Sequence, residues 1–96
     1  MVRHVVMWKF KEGTQAQAER FLADLAALEG VIPEIRYSQV ACNENPANDY
    51  DAVLIADFDD FAALERYQND PRHQSVAAQC KPIRTARTAV DFTIAS

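Results

Sequence analysis

Glycine and clustered positive charge are both scarce in this sequence. The only glycines are Gly13 and Gly30, and neither lies in a glycine-rich loop of the kind that holds a nucleotide phosphate. The chain has no lysine- or arginine-rich run, and its formal net charge is −4. Phosphate backbones are bound by clustered cations, so these shortages argue against a nucleic-acid partner.

Cysteine is equally sparse. Cys42 and Cys80 stand far apart, with no CxxC pair and no neighbouring histidine. Zinc sites and redox dithiols need such close spacing, so we interpret both residues as reduced thiols that behave as small hydrophobic side chains. The two histidines add no recognisable ligand set. We therefore expect neither a metal ion nor a cofactor.

No apolar run is long enough to cross a bilayer. The most apolar segment, residues 2–10, is broken by Arg3, His4 and Lys9, and a spanning helix needs about 20 apolar residues. It does not fit a signal peptide either. We expect a cytoplasmic protein with no membrane partner. An apolar fraction of 49% and a charged fraction of 25% are typical of a globular chain, and we predict one domain over residues 1–96.

Two periodicities alternate along the chain. Apolar residues at every second position predict strands at residues 2–10, 35–42, 50–58 and 84–94. Helical spacing predicts a helix that begins with Thr14 as N-cap and ends at Gly30. Asp59 or Asp60 starts a second helix with Phe61, Leu64 and Tyr67 on its apolar stripe. Because proline disfavours helical geometry in the preceding residue, a third helix starts at Pro71 and runs to residue 80.

This order, strand–helix–strand repeated twice, is the split βαβ pattern. It predicts a ferredoxin-like α+β fold: a four-stranded antiparallel sheet with the first and third strands in the middle and the helices on one face. The central strands are apolar on both faces, and one face has no cover within the chain. The side chains that we expect on that face include Val5, Met7, Val53 and Ile55. We therefore predict a homodimer that stacks the two open faces.

Four segments resemble, in the same order, a known family. They are RHVVMWKFKEG at residues 3–13, DYD at 49–51 leading to DF at 57–58, YQNDPRH at 67–73, and VDF at 90–92. Together they are similar to the stress-responsive A/B-barrel (dimeric α/β-barrel, Dabb) family. The resemblance implies a dimer whose sheets face each other with the helices outside. Most such domains have no assigned activity, some are stress-induced proteins, and a plant member is a polyketide cyclase that performs an aldol condensation without a metal.

The resemblance also points to residues. His4 and His73 fall at positions that match the pocket of the cyclase, whereas Ala52 replaces a further pocket histidine and Asp70 replaces the first histidine of the family's His-Pro-x-His segment. By alternation His4 belongs to the helix-facing side of the first strand. His73 lies in the first turn of the third helix, where the helix dipole favours a neutral imidazole.

The functional interpretation assigns three roles. His73 is the general base, Tyr67 is its orienting partner or oxyanion donor, and His4 is a hydrogen-bonding group of the pocket. In the structural interpretation, His73 caps its helix or faces solvent, and His4 and Tyr67 are core residues. Three functions therefore stay open: a cofactor-free cyclase or lyase acting on a small aromatic or polyketide-like molecule, a non-catalytic stress-responsive or ligand-binding dimer, and a monooxygenase-like protein.

Overall fold

The computed structural model describes residues 1–95. Its strands are β1 (Val2–Phe10), β2 (Tyr37–Cys42), β3 (Ala52–Phe58) and β4 (Arg84–Thr93). Its helices are α1 (Gln15–Ala26), α2 (Phe61–Asn69) and α3 (Pro71–Cys80). No helix in this part of the chain is long and apolar enough to cross a membrane.

The strands form one antiparallel sheet in the order β2-β3-β1-β4. The predicted ferredoxin-like fold is confirmed, with the first and third strands in the centre. Residues directly opposite each other share a face of the sheet. His4 therefore shares its face with Ala56 on one side and Asp91 on the other, while Val5 shares the opposite face with Ile55 and Val90.

The core lies between the helices and one face of the sheet. Alternate residues of β1 and β3 are buried there, among them Val6, Trp8 and Leu54. Phe21 of α1 is 1% exposed and packs edge-on against Trp8, with ring centroids 5.3 Å apart. Since truncating a buried aromatic side chain costs about 3–5 kcal/mol, Phe21→Ala would remove a large share of the stability of a domain this small.

The end of α1 differs from the prediction. The helix stops at Ala26 and does not reach Gly30, because the following amides bond three residues back, as Leu28 N–H does to the Leu25 carbonyl at 3.2 Å. Gly30 then takes a φ of +84° within this series of turns. Thr14 precedes the helix but does not cap it with its side chain, since its hydroxyl donates to the Lys11 carbonyl at 2.6 Å.

The ends of several strands also differ from the predicted ones. β2 begins at Tyr37 and β3 at Ala52, two residues later than predicted in each case, and β4 ends one residue earlier at Thr93. The stripe predicted for α2 is wrong at Phe61, which is 55% exposed, while Ala63 takes the buried position. The helix break at Asp70-Pro71 lies where the sequence predicts it.

Among residues 1–95, no helix covers the other face of the sheet. Exposed apolar side chains from three of its strands lie there: Met7, Tyr37, Val90 and Phe92. Polar residues share this face: Asp57 is 6% exposed and accepts two hydrogen bonds from Arg3, at 2.8 and 2.9 Å. Pairing neutralises this carboxylate within the apolar face.

Candidate functional site

A cavity of about 250 Å³ lies between β1 and the helices. Its apolar wall includes Val6, Trp8, Phe21, Leu25 and Leu54. Its polar wall includes the three side chains that the sequence predicts to share a pocket, His4, Tyr67 and His73. The structure thus brings these three residues together.

Tyr67 and His73 meet at the break between α2 and α3. Their ring centroids are 4.2 Å apart, with the planes inclined by 43°. Asp70 builds the break: its amide donates to the Tyr67 carbonyl at 3.1 Å, and its carboxylate accepts from the Arg72 amide at 2.8 Å. The guanidinium of Arg72 also holds the pKa of Asp70 at about 2, so this cap is ionised at neutral pH.

His73 is half-buried and its ring has a preferred orientation. Its Nδ1 lies 3.3 Å from the Gln68 carbonyl, so Nδ1 carries the proton and Nε2 keeps a lone pair. Burial lowers the pKa of His73 below its usual value; the bond to Gln68 opposes this, and the charges of His4 and Arg87 lower it further. A neutral imidazole with a free nitrogen is the form that accepts a proton.

Tyr67 is 2% exposed and lines the cavity. Burial raises the pKa of this hydroxyl, an effect that the nearby charge of Arg87 partly offsets. The phenol therefore stays protonated over the whole physiological range and keeps its proton to donate. Phe58 fixes the other side of the ring, with centroids 4.9 Å apart.

His4 lies in β1, 3% exposed, with its side chain on the helix-facing side as predicted. Its Nδ1 lies 2.5 Å from Oδ1 of Asp91, the residue opposite it in β4. A carboxylate on Nδ1 fixes the ring and leaves Nε2 for a ligand. The burial cost that an unpartnered His4 would bring, about 1–3 kcal/mol, is avoided by this bond.

Trp8 and Asp91 are site residues that sequence reasoning missed. Trp8 lines the cavity, and within residues 1–95 its Nε1 is the one fully buried side-chain nitrogen or oxygen without a hydrogen-bond partner. Buried donors are normally satisfied, so an orphan donor beside a cavity indicates a place for a ligand oxygen or a water molecule. For Trp8 the sequence held a usable signal, since strand alternation places its side chain on the same face as that of His4. For Asp91 it held none, because the contact with His4 depends on how β4 is aligned with β1.

The two cysteines lie in different environments. Cys42 is exposed and Cys80 is buried beside the cavity, where Arg84 Nη1 lies 3.9 Å from its sulfur. Over residues 1–95 no group of three or more histidine, cysteine or carboxylate side chains is arranged to hold a metal ion.

The fold and cavity define a class: a ferredoxin-like α+β protein with an uncovered sheet face and a histidine-lined cavity under its helices. The model of the stress responsive A/B barrel domain (Dabb) matches residues 2–94. The chain therefore belongs to the Dabb family, as the sequence motifs predict.

Two known proteins illustrate what this chain is similar to. An uncharacterized protein of Streptomyces coelicolor is 33% identical over 90 residues, which cover 88% of this chain and 92% of the relative. A dimeric ferredoxin-like protein of unknown function from Thermobifida fusca is 27% identical, with a TM-score of 0.86 over 97% of this chain and 90% of the other.

Two further solved structures show the fold alone. A dimeric ferredoxin-like protein of unknown function from Bacteroides fragilis has a TM-score of 0.90 at 23% identity, covering 97% of this chain and 95% of the other. The hydroxynitrile lyase of Passiflora edulis has a TM-score of 0.86 at 20% identity, covering 98% and 93%.

Proposed function

We propose that the cavity binds a small aromatic or polyketide-like carbonyl compound and that His73 removes a proton from the carbon next to the carbonyl. This is the first step of a cofactor-free lyase or aldol cyclase. The observation that carries the proposal is the convergence of His4, Tyr67 and His73 on one cavity, with His73 held in its neutral form. Family membership supports the assignment.

In this mechanism the proton moves from the substrate carbon to Nε2 of His73, and the electron pair moves to the carbonyl oxygen as an enolate. The Tyr67 hydroxyl donates to that oxygen, and His4, oriented by Asp91, holds a second oxygen of the substrate. The reaction is completed in one of two ways: His73 returns the proton to carbon, or the enolate carbon bonds to another carbonyl carbon and His73 gives its proton to the alkoxide that this forms. Positioned proton transfer of this kind contributes about 10²–10⁴-fold to a rate.

The test is deuterium exchange at the α-carbon of simple ketones such as acetophenone, followed by NMR in D₂O. The wild type is expected to accelerate exchange, His73→Ala to lose about 10²–10⁴-fold of that acceleration, and Tyr67→Phe to lose less. Gln74→Ala, an exposed neighbour on the same helix, is the matched control and is expected to behave as the wild type. Absence of acceleration by the wild type, or equal acceleration by His73→Ala, would exclude the mechanism.

The proposal extends to the assembly. We infer that two copies stack through the open sheet face, because the exposed Val90 and Phe92 adjoin Val5 and Arg3 of β1 and no helix covers them. Similar proteins from Bacteroides fragilis and Thermobifida fusca are described as dimeric. A two-fold axis would cover both faces with one self-complementary contact.

One observation favours the non-catalytic ligand-binding dimer as the second candidate. The cavity, at about 250 Å³, is smaller than the roughly 300 Å³ at which ordinary ligand pockets begin. If a ligand raises the thermal midpoint equally in the wild type and in His73→Ala, and no exchange is accelerated, binding without catalysis is the better description.

A further inference from the structure

The lysine and arginine side chains that lack a carboxylate partner are concentrated at one place in this acidic protein. Six of its ten lysine and arginine side chains form ion pairs. The other four have no carboxylate partner among residues 1–95: Lys11, Lys81, Arg84 and Arg87. Three of those four, all but Lys11, line the cavity that holds His73. Within the part of the chain that the structure describes, no aspartate or glutamate lines it.

An irregularity of β4 places both arginines on this side of the sheet. Arg87 lies opposite Trp8, and Arg84 lies opposite Phe10, so both share the helix-facing side with these residues. Residues 84 and 87 are three positions apart and would point to opposite faces in a regular strand. The register shifts at Lys9 and Phe10, because Lys9 pairs with Ala86 and Phe10 with Arg84, which leaves one extra residue in β4. Such bulges re-aim side chains and are frequent beside functional sites.

Arg87 also acts on the residues of the proposed reaction. Its charge lowers the pKa of both Tyr67 and His73, which means that the guanidinium is close enough to act on each of them. Arg84 is only partly exposed and is held at one edge by the Cys80 sulfur. Two guanidinium groups on one strand, together with Lys81, present several N–H donors toward a cavity whose other lining residues are apolar apart from His4, Tyr67 and His73.

We propose that the ligand of this cavity is a small organic carboxylate, with its carboxylate bound by Arg84 and Arg87 and its apolar body against Trp8 and Phe21. The proposal rests on the proposed function in one respect, namely that the same cavity binds the substrate. It adds the substrate class, a carbonyl compound that is also an acid. A carboxylate fits because it is planar and accepts paired guanidinium hydrogen bonds, while the apolar wall needs a hydrocarbon part that inorganic anions lack. At about 250 Å³, the space equals roughly eight water molecules, enough for a single ring with a short side chain.

The experiment compares phenylacetate with phenylacetamide, which have the same shape but differ in charge, by calorimetry and by NMR of the Trp8 indole N–H. Phenylacetate is expected to bind at least tenfold more tightly than the amide and to shift the indole signal. Arg87→Gln and Arg84→Gln are expected to weaken phenylacetate about 10- to 100-fold and to leave phenylacetamide unchanged. Lys11→Gln removes the same charge away from this cavity and is expected to bind phenylacetate as the wild type does.

Several outcomes would overturn the proposal. They are equal affinity for the acid and the amide, an equal loss in Lys11→Gln, the absence of measurable phenylacetate binding, and inorganic phosphate binding as tightly as phenylacetate. The two proposals fail separately. If phenylacetate binding depends on both arginines but His73→Ala does not affect deuterium exchange, the carboxylate site stands without the catalytic mechanism. If deuterium exchange depends on His73 but phenylacetate affinity is unchanged in the arginine variants, only the proposal of a carboxylate site is wrong.

Discussion

Val90→Asp tests whether the open sheet face is an interface between two copies of the chain. Val90 is 56% exposed in one protomer. Full burial of a valine side chain stabilises by about 1.5–3 kcal/mol, so covering the exposed half contributes about 0.8–1.7 kcal/mol per protomer. A two-fold contact doubles this to about 1.7–3.4 kcal/mol. An unpaired aspartate would add a desolvation cost of several kcal/mol.

The loss of apolar burial alone corresponds to a dissociation constant raised about 15- to 300-fold, and the buried charge raises it further. Analytical ultracentrifugation over a range of micromolar concentrations measures this directly. Val31→Asp is the matched control, because Val31 is 50% exposed but lies in the turn after α1 and not on the sheet. A wild type that is monomeric at all concentrations, or equal dissociation constants for the two variants, would refute the reasoning.

The remaining predictions concern stability. Because folding raises the pKa of Tyr67, its neutral hydroxyl contributes fully to stability below the unfolded pKa of about 10, and this contribution is lost as the pH rises above that value. In urea unfolding at pH 8 and pH 11, Tyr67→Phe should therefore lose less stability at the higher pH than the wild type does. The lowered pKa of His73 has the opposite effect: stability is lost as the pH falls below about 6.5, and His73→Gln should reduce that loss. Asp60→Ala removes the cap that accepts the Ala63 amide at 2.8 Å and should cost about 0.5–2 kcal/mol by thermal unfolding. Since we expect no metal, a strong chelator should leave the thermal midpoint unchanged.

Side chains along a β-strand alternate strictly between its two faces, so the sequence predicts which residues of the central strands face the helices. It places His4 and Trp8 on the helix side of β1 and Val5 on the other side, as the structure does. The helix break at Pro71 is equally predictable, because proline acts locally. Helix and strand ends are harder, since the end of α1 at Ala26 depends on turns that tertiary packing selects.

The contacts across the site depend on register, which no local pattern specifies. Asp91 reaches His4 only because β4 pairs with β1 in one of several alignments. Arg84 reaches the cavity only because of one extra residue near Thr85, and a regular alternation would assign it to the other face. The rim of the cavity is therefore the part of the site that sequence reasoning could not supply.

Nine residues of β1 carry two properties at once. His4, Val6 and Trp8 face the cavity, while the residues between them, Val5 and Met7, face the open side of the sheet. Substitutions at even-numbered positions can thus alter the cavity without changing the proposed interface, and substitutions at odd-numbered positions can alter that interface without changing the cavity. A single-residue insertion or deletion within β1 has no such freedom, because it would exchange the two faces and damage both properties together. Point substitutions should therefore be tolerated in this strand among relatives, and length changes should not.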